Sequence, residues 1–140
     1  MGRINMGRVI VGGLIAGVVI NISEFVLNGV VLAQGMEAAM RALGLPPMSP
    51  SMLVWFVVLG FALGITTVWT YAAIRPRFGA GVPTAVCAAL LVWFLAYVYP
   101  NIFIVLIHLF PRRLIAIGVL WGLPEIVIAG IAGAWAYTET

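Results

Sequence analysis

Residues 9–32 read VIVGGLIAGVVINISEFVLNGVVL, 24 positions with one ionisable side chain, Glu24. A helix of about 20 apolar residues spans the hydrocarbon core of a bilayer, so this run is long enough to cross. It follows Arg3 and Arg8, as a secretory signal would, and ends at Val31-Leu32-Ala33, a faint cleavage-site pattern. The apolar region of a signal peptide is only about 7–15 residues long. The run is therefore read as a retained first span.

Three more runs of this kind follow, at about 52–74, 83–109 and 114–137. Lipid offers backbone N–H and C=O groups no partner outside their own segment, so each run should be helical. Composition agrees. The chain of 140 residues is 64% hydrophobic and 8% charged, against about half and about a quarter in a soluble domain. The expected fold is all-α: one domain over 1–140, an integral membrane four-helix bundle with a short interfacial helix between helices 1 and 2. Seven arginines, no lysine and four acids leave a net charge of +3. That balance suits anionic headgroups and is too sparse for nucleic acid. The single cysteine, Cys87, excludes a disulfide within the chain and reads as a small buried hydrophobe.

The connections are short. Arg75-Pro76-Arg77 and Pro111-Arg112-Arg113 read as charged breakers that close tight hairpins. Pro100 lies inside the third run, where it removes a backbone bond and crowds the carbonyl of Ala96, so a kink is expected. The alternative is a span ending near Tyr99, followed by an interfacial stretch over 101–110. In the loop 33–51, Met36, Met40 and Leu43 share a helical face and Glu37 and Arg41 form an i,i+4 pair on another. This piece should lie on the membrane surface and stop at Gly44, before Pro46-Pro47. An interfacial apolar face explains Met36, Met40, Met48 and Met52 more simply than a copper path does. With the N-terminus inside, Arg3, Arg8, Arg75 and Arg77 face the cytoplasm and Arg41, Arg112 and Arg113 the other side. Four against three leans toward cytoplasmic termini.

Function is written, if anywhere, in two stripes. Gly13, Gly17, Asn21, Glu24 and Asn28 follow one another at steps of 4, 4, 3 and 4, which places them on one helix face. Gly118, Gly122, Glu125, Ala129 and Gly133 repeat the design in the fourth span. Aligning Gly17 with Gly118 matches five of fourteen positions, Glu24 with Glu125 among them. The first and fourth spans run in opposite directions, so the match suggests an inverted pair, an arrangement that places sites near the midplane in some transporters. Gly60 and Gly64, with Thr67 and Tyr71, give the second span a small-residue packing face.

Half of the acids thus lie in the hydrocarbon region, with no arginine or lysine inside any span to pair with them. An ionisable group at that depth costs several kcal/mol and usually faces an interior or a watery cavity. Two readings stand. Glu24 and Glu125, with Asn21 and Asn28, form a site that binds or passes a proton, a cation or a small solute. Alternatively, two neutral acids join the helices of a structural or accessory subunit that assembles through its glycine faces. Pro124 frees the carbonyl of Leu120 one turn below Glu125, which favours the first reading slightly. The glycine faces suggest a homo-oligomer or a subunit of a membrane complex.

Among the aromatics, Tyr71, Trp135 and Tyr137 fit an interfacial belt, while Trp93 and Trp121 lie deeper and should fill gaps in the bundle. His108, the sole histidine, reads as an interfacial residue beside Arg112 and Arg113. One histidine cannot supply the paired ligands of a membrane b-type haem. The sequence has no zinc spacing, nucleotide loop or Ser-His-Asp set, so no metal, no cofactor and no catalytic residue is expected.

The Ala88-Ala89-Leu90-Leu91-Val92-Trp93 run, the short connector at 110–114 and the segment 128–135 resemble a small bacterial family of four-span membrane proteins described as a domain of unknown function. The first span departs from that family's aromatic-rich start. The resemblance implies the fold and nothing about activity; the expected location is a bacterial inner membrane.

Overall fold

The computed structural model describes residues 2–139, and among these every regular element is a helix, with no strand. Helix α1 (Met6–Val26) continues through a π-helical turn (Leu27–Val31), and α2 (Ala33–Ala42) follows it. Helix α3 (Pro50–Phe78) is the longest. Helix α4 (Val82–Trp93) passes through a second π-helical turn (Phe94–Val98) into α5 (Tyr99–Leu106), and α6 (Arg112–Trp135) ends the bundle. Four continuous helices are therefore long and apolar enough to cross a membrane: Met6–Val31, Pro50–Phe78, Val82–Leu106 and Arg112–Trp135. The chain is an all-helical membrane protein.

Two breakers behave differently. Pro111 is extended (φ −55°, ψ 130°) and starts α6. Pro76 does not end α3, which runs on to Phe78. A proline in the last turn removes only one backbone bond, to the carbonyl of Ala72, and the helix closes one turn later as Gly79 N–H donates to Arg75 O at 2.8 Å. The turn is then made by Gly79 (φ 88°) and Gly81 (φ 125°), backbone angles that side chains resist. Pro100 likewise does not end its span. The π-helical turn just before it widens the backbone, and the Asn101 amide donates to Tyr97 O at 2.6 Å inside the interrupted ladder. The loop helix forms as read, with Glu37 and Arg41 3.6 Å apart and Gly44 (φ 70°) ending it.

Helix α1 lies between α3 and α6, and α4 also packs on both of them. The α1–α3 contact is antiparallel and close. An added Cβ on Gly64 would stand 2.5 Å from Gly13 O and from Gly17 N, and one on Gly13 would meet the Ile65 backbone at 2.5 Å. At α1–α6, a Cβ on Gly12 would meet Gly133 O at 2.5 Å. Small residues allow such approaches, and van der Waals contact then holds the helices without a hydrophobic drive. The buried core gathers at the end carrying the chain termini: Val9, Ala16 and Ile20 of α1, Val68 and Ala72 of α3, Ala85, Ala88 and Ala89 of α4, Ile126 and Ala129 of α6.

Tyr71 and Tyr137 belong to this core rather than to an interfacial belt. They are 4% and 3% exposed and meet edge to face with ring centroids 6.0 Å apart. Their hydroxyls accept from Gly81 N–H at 3.2 Å and Asn5 N–H at 3.3 Å, which satisfies the polar tips and lets the rings be covered. Arg75 stacks 5.6 Å from the Tyr137 ring and pairs with Glu139 at 3.6 Å. Trp135, 86% exposed, does stand outward as a belt residue should. Cys87 is exposed too, on the lipid-facing side of α4 rather than buried, because Ala85, Ala88 and Ala89 take the inner face.

Candidate functional site

Beyond Ile20, a polar cluster lies between α1, α6 and the second π-helical turn. Glu125 is its centre. It lies about midway along α6 and is 3% exposed. The Tyr97 hydroxyl donates to its Oε2 at 2.6 Å. Its other oxygen, Oε1, is buried and has no hydrogen-bond partner among the described residues. Ser23 and Glu24 of α1 lie within interaction range of the same carboxyl. Glu24 in turn accepts from the Asn28 amide at 2.7 Å, and Asn28 also donates to the Glu24 carbonyl at 3.0 Å. The Trp121 indole N–H donates to Ser23 Oγ at 2.9 Å, joining α6 to α1, and the Trp93 indole donates to Val119 O at 2.9 Å, joining α4 to α6.

Both helical irregularities border this cluster. Asn28 stands in the first π-helical turn and Tyr97 in the second. Such turns occur mostly as single insertions within α-helices and often at functional sites. The Tyr97 ring lies directly on Gly122, where an added Cβ would meet ring Cε1 at 2.5 Å. Gly122 thus lets the ring lie flat enough for its hydroxyl to reach Glu125.

The structure brings Glu24, Asn28 and Glu125 together and takes Asn21 elsewhere. Asn21 faces α3: its amide donates to Val57 O at 3.2 Å and to Gly17 O at 2.9 Å, over Gly60. Its place on the stripe is right, but at its height the nearest neighbour is still α3. Gly13, Gly17, Gly60, Gly64 and Gly122 all lie at close approaches. Gly118 does not, since an added Cβ there would meet nothing within 4 Å. The close approach of α6 to α1 is at Gly133, near the other end of the helix, while Gly130 packs against Ala85 and Ala89 of α4 and Thr67 of α3.

Tyr97 escaped the sequence reading altogether. The signal was a tyrosine deep in a span, far from either interface, where an aromatic hydroxyl needs a partner. Among the described residues, no three His, Cys, Asp or Glu side chains come together as a metal-binding group. No family model, no curated protein and no solved structure matches the chain. What the site can do must follow from its own chemistry. It offers two carboxyls, a phenol, a hydroxyl and a carboxamide, and it contains no basic side chain.

Proposed function

We propose that the chain binds and passes a proton or a small cation at the Glu24–Glu125 pair, in a bacterial inner membrane with both termini in the cytoplasm. The observation that supports this most is the carboxyl of Glu125: buried mid-span, held by Tyr97 through one oxygen, with the other oxygen unpartnered beside Glu24. Two neighbouring carboxylates without a cation repel each other strongly in a low dielectric, so the pair holds a proton or a cation between them. The unpartnered oxygen is where it would attach. Glue between helices would place both oxygens in hydrogen bonds, as Asn21 and the two tryptophans do with their amide and indole groups.

The test is flux into liposomes that contain the purified protein, read with a pH-sensitive dye under an imposed proton or alkali-cation gradient. Glutamine keeps the shape and hydrogen bonding of glutamate but cannot ionise. Glu125→Gln and Glu24→Gln should therefore lose the flux while circular dichroism and thermal unfolding remain near those of the unmodified protein. Undiminished flux in the double variant would leave the accessory-subunit reading as the better one. That reading relies on the glycine faces, and Gly12, Gly13, Gly17, Gly64 and Gly133 are already covered within one chain.

A further inference from the structure

A second site lies away from the glutamates, where α5 and α6 diverge toward the loop end. Between them runs a groove of about 370 Å³, walled by Val98, Ile102 and Val105 on one side and Ala116 and Val119 on the other, with Arg112 at its mouth. Apart from Asn101 and Arg112 its lining is apolar. Arg112 and Arg113 are exposed and pair with no carboxylate among the described residues. The four acids explain why: Glu37 meets Arg41, Glu139 meets Arg75, and Glu24 and Glu125 sit in the membrane site. The start of α6 adds to the imbalance, because Pro111 gives no side-chain cap and the first turn has no acid. Its free first-turn N–H groups and the positive end of the helix dipole lie at Arg112 and Arg113, the first two residues of α6.

We infer that this groove holds one acyl chain of an anionic phospholipid, with the phosphate resting on Arg112, Arg113 and the open first turn of α6. The occupant must be apolar over the groove, carry one anion at headgroup depth, and come from the bilayer that the groove faces. A phospholipid with a net negative headgroup meets all three conditions. A zwitterionic lipid offers the same chain, but its own cation opposes the arginines. Basic residues near a membrane surface favour anionic lipid, so two should give a preference of about tenfold or more.

Native mass spectrometry can measure this on the full chain, released from detergent micelles with equal amounts of phosphatidylglycerol and phosphatidylcholine of matched chains. The bound ratio should favour phosphatidylglycerol by about tenfold. Arg112→Gln/Arg113→Gln should bring it near parity, whereas Arg77→Gln, at the other end of the bundle, should leave it unchanged. Ala116→Trp fills the groove and should expel the lipid even with both arginines in place. Millimolar inorganic phosphate should not displace it. An unchanged ratio in the double arginine variant would overturn the inference, as would retention in Ala116→Trp or displacement by phosphate alone.

Discussion

The two halves of the bundle are held differently. Toward the chain termini, backbones nearly touch at Gly12–Gly133 and at Gly64 against Gly13 and Gly17, and alanines fill the remaining space. Toward the α5–α6 turn, Phe25, Val30, Trp55, Phe103 and Leu106 each leave more than half of their surface outside the bundle. Lipid tails are as apolar as these side chains, so large residues gain little by turning inward. Only the small ones bring helices together. The polar cluster lies where the first regime gives way to the second, next to the locked half that positions it.

The sharpest way to break this contrast is one methyl group. Gly64→Ala puts a Cβ against the backbone of Gly13 and Gly17, which cannot swing aside as a side chain would. It should cost about 1–3 kcal/mol or prevent folding. Gly118→Ala meets open space and should raise stability slightly, since alanine favours a helix over glycine by about 0.5–1 kcal/mol. Thermal unfolding in one detergent compares the two. Equal tolerance would mean that α3 is not held against the α1 backbone.

A second test addresses the boundary. Tyr97→Phe removes the hydrogen bond to Glu125 and leaves both carboxyl oxygens unpartnered. The expected loss is about 1–3 kcal/mol. Gly122→Ala should reproduce part of it by lifting the ring, and the double variant should fall short of the sum because both changes break one contact. Full additivity would separate Gly122 from the placement of Tyr97.

These positions also mark what the sequence could and could not convey. The four spans were legible because lipid leaves the backbone one solution, and length with hydropathy reveals it. Gly13, Gly17 and Gly64 were legible because their spacing has no other common use in a span. Partner choice was not legible. Asn21 and Glu24 share a stripe but face different neighbours, because height along the helix decides the contact and periodicity reports only angle. Tyr71 and Tyr137 looked like belt residues until their hydroxyls found backbone N–H groups at the terminal end. Pro76 looked like a stop, although a proline so near a helix end removes little.

The smallest expected effect is in the loop that joins α5 to α6. His108 adopts a left-handed backbone (φ 55°), the one described non-glycine residue with positive φ, and closes α5 as Leu109 N–H donates to Ile104 O at 3.2 Å. His108→Gly should relieve about 1 kcal/mol of steric cost. Most of that is offset by glycine's greater freedom in the unfolded chain, about 0.5–1 kcal/mol. Stability should rise by a few tenths at most, with no change in the packed half. A marked drop would show that the imidazole makes a contact of its own.

The two π-helical turns have a consequence for how this chain tolerates insertions and deletions. Each residue of an α-helix advances the side chains by about 100°, and a turn closed from i to i−5 holds one residue more than the ladder on either side. Every side chain downstream is out of phase with those upstream by that amount. Removing one residue from 94–98 would restore regular winding and leave the helix beyond it in place, whereas removing one from the regular ladder on either side would swing the chain beyond around the helix axis. The meeting of phenol and carboxyl therefore depends on how many residues the regular ladder beside 94–98 holds, as much as on which ones they are.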